Sequence, residues 1–129
     1  MNIKLKKQLI EIKTKNRKLI HFEISKNSKE DAILNEIASL IKDKKSILTL
    51  TFKELSDKST IELCTKIKQL CEIFDCTFAI NFRADIAFLT CADALILDEN
   101  SITKTQAEEI ITEETLIGFT KNGEIIFEE

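Results

Sequence analysis

The stretch Phe78-Ala79-Ile80-Asn81-Phe82-Arg83-Ala84-Asp85-Ile86-Ala87-Phe88-Leu89-Thr90-Cys91-Ala92-Asp93-Ala94-Leu95-Ile96-Leu97 decides the fold. An apolar run from Phe78 to Ile80 ends in Asn81, and a second from Ala94 to Leu97 ends in Asp98-Glu99-Asn100. Between them the spacing predicts a helix with Ile86, Ala87 and Phe88 on its inner side. The pattern is strand, helix, strand, with polar groups gathered just past both strand ends. In parallel α/β proteins ligands bind along that edge, because its loops vary freely while the strands hold them in place.

Upstream, Lys18 to Ile24 is apolar and β-prone, and Asn27-Ser28 supplies turn and capping residues. Ile33, Leu34, Ile37, Leu40 and Ile41 then recur at helical spacing up to a stop at Lys42-Asp43-Lys44-Lys45. Ser46 to Phe52 reads as the second strand. Ser59-Thr60-Ile61-Glu62 matches a capping box, which predicts a helix from there to about Phe74. Downstream, Thr103-Lys104-Thr105-Gln106 is a second capping box before a helix with Ala107, Ile110 and Ile111 inside. Glu108, Glu109, Glu113 and Glu114 make its outer face acidic. Leu116 to Thr120 is the fifth strand, and Asn122-Gly123 favours a type I′ turn that folds Glu124 to Phe127 back as a hairpin.

Strands alternating with helices at this spacing imply an α/β fold, a mostly parallel sheet of about five βα units with right-handed crossovers. Residues 1–129 are expected to form one domain, opening with a basic amphipathic helix over 1–17 that carries Ile3, Leu5, Leu9, Ile10 and Ile12 among lysines.

With 43% hydrophobic and 32% charged residues and a net charge of -3, the composition suits a soluble globular protein with no general pull toward nucleic acid. No apolar run suggests a membrane span and the N-terminus lacks a secretory pattern, so a cytoplasmic location is expected. Cys64, Cys71, Cys76 and Cys91 form no Cys-x-x-Cys pair, and the one histidine, His21, is distant in sequence. A metal site is not expected; Cys64 and Cys71 read as small core residues on a helix. His21 reads as a partly buried strand histidine. Arg83 and Asp85 read as an ion pair or cap at a helix start rather than as catalysts.

Three stretches carry a family resemblance. Leu50-Thr51-Phe52-Lys53-Glu54-Leu55-Ser56-Asp57 resembles the Gln-Leu-Arg-Glu-Lys-Asp-Leu-Ser segment after the second strand of thiamin phosphate synthases and TenI-type thiazole tautomerases. The stretch quoted first resembles their Ile-Ile-Asn-Asp-Arg-x-Asp-x-Ala segment, followed by Ala-Asp-Gly-Val-His-Leu-Gly-Gln. Ile117-Gly118-Phe119-Thr120 is similar to their Ile-Gly-x-Ser strand. The matches keep the family's order and separations, and span about residues 18 to 120.

The resemblance implies a fold like the N-terminal part of a TIM barrel, and a reaction joining a pyrimidine pyrophosphate to a thiazole phosphate with Mg²⁺. It also makes Lys53, Asn81 and Thr120 the residual substrate-binding residues. Elsewhere the site is depleted. Thr51 stands where the family has an arginine, Thr49 where it has a glutamine, Phe82 where it has a magnesium aspartate, and Ile96 where the tautomerases have a histidine. A second magnesium aspartate falls near Ser101, with Asp98 and Glu99 the nearby carboxylates. A leaving pyrophosphate needs its developing charge neutralised by a metal and by aimed donors, and phenylalanine supplies neither. The last barrel strands and a glycine-rich phosphate cradle also have no counterpart.

No catalytic residue, metal ligand or cofactor is therefore assigned, with Mg²⁺ expected only if activity is retained. The favoured expectation is a thiamin phosphate synthase-like protein that has lost catalysis and serves as a binding or interaction module. Its open sheet would be completed by a second copy, most simply as a homodimer, or by a partner chain. One alternative is an active transferase or tautomerase completed by a partner. The other is an unrelated small α/β domain.

Overall fold

The computed structural model describes residues 18–42, 46–121 and 124–127. The expected N-terminal helix and the Asn122-Gly123 turn lie outside them. The elements are β1 (Lys18–Ser25), α1 (Glu30–Ile41), β2 (Ser46–Lys53), α2 (Asp57–Ile73), β3 (Thr77–Asn81), α3 (Ala84–Leu89), β4 (Ala94–Leu97), α4 (Lys104–Glu108), β5 (Leu116–Lys121) and β6 (Glu124–Phe127). The strands form one sheet in sequence order. Pairings from β1 to β5 are parallel, and β6 returns antiparallel to β5, so the α/β fold and the hairpin strand are as the sequence implies.

Period-2 alternation gives the sheet two different faces. On one, Ile20, Ile24, Leu48, Leu50, Phe78, Ile80, Leu95, Leu97 and Ile117 pack against the helices. The helices meet them with stripes at helical spacing, Ile33, Ile37 and Ile41 from α1 and Leu63, Cys64, Ile67 and Cys71 from α2. On the other face a second cluster contains Ile47, Ala79, Ala94, Ile96, Leu116 and Phe127, all from strands. We call this the inner face.

Four local expectations are corrected. The cap of α2 is Ser56, not Ser59: the Ser56 hydroxyl accepts from Ser59 N at 3.2 Å, and the Ser56 carbonyl accepts from Thr60 N at 2.9 Å. The earlier start keeps Asp57 in the first turn, where the helix dipole favours a carboxylate, and lets Thr60 begin the buried stripe. At α1 the cap position is Lys29 with no side-chain cap, and Ser28 instead closes a turn by donating its N–H to the Ser25 carbonyl. Phe88 is 48% exposed, because the six-residue α3 is too short to turn more than Ala84, Ile86 and Ala87 inward. Finally, α4 ends at Glu108, so Ile110 lies past its last turn, exposed, while Ala107 holds the core contact. The Thr103–Gln106 capping box is present in full.

Candidate functional site

The C-terminal ends of the parallel strands bring the predicted residues onto one face. Asn81 pairs in register with Ile96, and Ile96 with Gly118. Strand alternation then places Thr120, two residues beyond Gly118, on the same inner face as Asn81. Across the other ladder Leu50 is level with Ile80, so Thr51 lies beside Asn81 and Lys53 one layer further toward the rim. Lys53, Asn81 and Thr120 therefore share the inner face, with Lys53 and Thr120 in the outermost layer and Asn81 one layer below.

Asn81 is nearly buried, 8% exposed, and its side-chain amide donates to Thr51 Oγ1 at 2.9 Å. A buried amide left without a partner is costly, so this bond fixes which way the side chain points. Thr51, which stands where the family resemblance calls for an arginine, is thus a positioning residue for Asn81. The sequence signal for that placement is its period-2 relation to Lys53 on one strand. Lys53 itself is exposed and forms no ion pair among the described residues, whereas its neighbour Glu54, with φ 57, pairs with Lys26 at 3.5 Å. Thr120 is half-buried opposite Ile125 of β6.

Phe82 directly follows Asn81 with a left-handed backbone, φ 65, and its N–H donates to the Ile96 carbonyl at 2.8 Å. For a bulky aromatic residue that backbone state carries strain, held here by the turn that leads into α3. The residue is 37% exposed. Arg83 Nε and Nη2 bind the two oxygens of Asp85 at 3.0 and 2.8 Å, and Nη2 also reaches Asp57 at 3.2 Å. The Asp85 bond, followed by that to Asp57, raises the guanidinium's already high pKa; Arg83 in turn holds the Asp85 carboxyl below its usual range. The expected pairing is thus observed, with Asp57 as a third member.

At the end of β4, Asp98 Oδ1 accepts from Asn100 N at 2.9 Å and Asp98 N donates to Ser101 Oγ at 2.9 Å. Both residues are occupied in closing their own loop. Among the described residues no three His, Cys, Asp or Glu side chains come together as a metal site. His21 is more exposed than expected, yet its Nδ1 lies 2.6 Å from Thr49 Oγ1, again on the inner face. Two clefts near β1, one lined by His21, Glu23, Lys29 and Glu36 and the other by Ser25, Lys26, Glu30 and Glu62, contain none of Lys53, Asn81 and Thr120.

This architecture matches known proteins. The family described as thiamine monophosphate synthase matches residues 21–125. The chain belongs to the thiamine monophosphate synthase family. Thiamine-phosphate synthase of Campylobacter jejuni is 32% identical over 94 residues, covering 73% of this chain and 45% of that protein. The Nostoc sp. thiamine-phosphate synthase is 29% identical over 91 residues, covering 70% of this chain and 26% of that protein. Among solved structures, the thiamine phosphate pyrophosphorylase of Pyrococcus furiosus superposes with a TM-score of 0.61 at 19% identity, covering 79% of this chain and 48% of the other, which supports the fold. The chain spans about half the length of the Campylobacter relatives it matches. Family membership sets aside the alternative of an unrelated α/β domain with accidental motif matches.

Proposed function

We propose that this member of the thiamine monophosphate synthase family has lost the synthase reaction and keeps a ligand-binding rim, serving as a binding or interaction module linked to thiamin metabolism. The observation that carries the proposal is Phe82, whose hydrocarbon ring follows Asn81 where the family resemblance calls for a magnesium carboxylate. A Mg²⁺ ion needs oxygen ligands in near-octahedral geometry. The described residues do not fit it: Phe82 offers none, and no three His, Cys, Asp or Glu side chains among them come together as a metal site. Nor does Arg83 replace the missing phosphate fork, since Asp85 and Asp57 already occupy its guanidinium.

What remains suits binding. Asn81 is oriented by Thr51, and Lys53 is a cation without an acidic partner among the described residues, with Thr120 in the same layer. These groups favour a small anionic or amide-bearing ligand of the thiamin precursor type. Within the same proposal, the free edges of β1 and β6, each with one neighbour among the described residues, take a second copy or a partner chain. The free thiols suit a reducing cytoplasm.

The second reading, an active transferase or tautomerase completed by a partner, draws on the shared placement of Lys53, Asn81 and Thr120. Amide chemical shifts during titration with the aminopyrimidine pyrophosphate, and separately with the thiazole phosphate, test the binding claim. Shifts confined to Thr51, Lys53, Asn81 and Thr120, lost in Asn81→Ala, are expected; saturating ligand with no shift at these residues would refute it.

A further inference from the structure

The turn from α2 into β3 sets two thiols against each other. Ile73 is the last helical residue and Phe74 the C-cap; Asp75 follows with a left-handed backbone, φ 54, and Cys76 comes next. The Cys76 N–H closes the turn by donating to the Cys71 carbonyl at 2.8 Å. This is the Schellman helix ending, in which the third residue from the helix end and the second residue past the cap meet through their side chains. Apolar residues ordinarily make that contact. Here both partners are buried cysteines with free thiols. The Cys71 thiol donates to the Cys76 sulfur, and the Cys76 thiol donates in turn to the Thr77 carbonyl at 3.6 Å.

We infer that Cys71 and Cys76 are a redox-active dithiol, which a small-molecule disulfide converts into an intramolecular disulfide stapling the end of α2 to the start of β3. One protein thiolate attacks a sulfur of the small disulfide, forming a mixed disulfide and expelling one small thiolate, which takes up the proton that the protein thiol released. The other protein thiolate attacks the mixed bond, forms the Cys71–Cys76 bond and expels the second small thiolate, protonated in the same way. Two protein thiols are oxidised, and one small disulfide is reduced to two thiols. The shared hydrogen bond and burial hold the Cys71 proton in place, so the exchange passes through a local opening of the helix end. Little covers that end: Glu72, Ile73 and Asp75 are all exposed. Cys64 is excluded as the partner of Cys71. It lies two turns earlier on α2, about 10 Å along the axis, whereas a disulfide spans at most about 7 Å between Cα atoms. The inference stands apart from the proposed function, since it requires only the α2–β3 turn.

Equilibrating the complete, folded chain with mixtures of reduced and oxidised glutathione, then trapping with acid, blocking the remaining thiols and mapping peptides by mass, tests it. One intramolecular Cys71–Cys76 disulfide is expected, read as the loss of two hydrogens from the peptide pair. It should form at an oxidised glutathione level about tenfold or more below the level that closes the same pair in urea, because the folded turn holds the thiols together. Closure no easier than in urea would overturn the inference. So would Cys71 joined to another cysteine, a glutathione adduct on Cys71 or Cys76 that never resolves, or both thiols still reduced when the unfolded pair has closed.

Discussion

The Asn81 side-chain amide donates to the Thr51 hydroxyl at 2.9 Å, joining the ends of β3 and β2 across the inner face. Thr51→Val keeps the shape and removes the acceptor, leaving a nearly buried amide unsatisfied. The expected loss is about 1–3 kcal/mol in urea unfolding. In a double-mutant cycle with Asn81→Ala the two changes should be non-additive by at least about 0.5 kcal/mol. Additive effects would mean the bond contributes nothing in solution.

Gly118 is small because the inner face leaves no room. A methyl added there would come within 3.0 Å of the Phe127 ring and 3.1 Å of both Ile125 and Ile96. Gly118→Ala should therefore destabilise by about 1–3 kcal/mol through overpacking. Adding Phe127→Leu should recover part of that loss, seen as a higher melting temperature for the double variant than for Gly118→Ala alone.

Asp85 gives a pH signature with a definite sign. Its carboxyl is held below the ordinary value of 3.8, chiefly by the Arg83 hydrogen bond. The stabilisation is thus fully present above that value and is lost as pH falls through the lower folded-state pKa. Both side chains are about half exposed, so solvent screening keeps the contribution under about 1 kcal/mol. Unfolding free energies measured from pH 6 to 2.5 should fall less steeply on acidification in Asp85→Asn than in the parent. Identical slopes would contradict the pairing.

The cysteines should differ sharply in reactivity. Burial pushes the Cys64 thiol up to about 12, and Cys71 is raised by its hydrogen bond to Cys76 and then by burial, while Cys91 is exposed. Only thiolate alkylates readily. Mass spectrometry after iodoacetamide treatment at pH 8 should find one label, on Cys91, in the folded chain and four after denaturation.

Periodicity made the fold legible. Apolar, β-prone runs mark the strands, and the strand-helix-strand stretch from Phe78 to Leu97 appears with Asn81 ending β3 and Leu97 ending β4. Asn81, Lys53 and Thr120 could be placed near strand ends, but their common face depends on register between strands, which residue spacing within one strand does not contain. Phe88 and Ile110 are exposed against expectation for a related reason: apolar periodicity cannot show where a short helix stops. The Ser56 cap is hidden because Ser59, with Glu62 three residues on, fits the capping box while Ser56 does not, and only the tertiary stripe of α2 favours the earlier start. Thr51 was invisible as a positioning residue because its role exists only through contact with Asn81.

The most direct measurement is a product assay with the aminopyrimidine pyrophosphate, the thiazole phosphate and Mg²⁺, run on the purified chain alone and mixed with candidate partner chains. With Phe82 in place of a metal carboxylate and Arg83 held by Asp85 and Asp57, no thiamin phosphate above the uncatalysed level is predicted in either case. Turnover that Asn81→Ala abolishes would contradict the loss of catalysis.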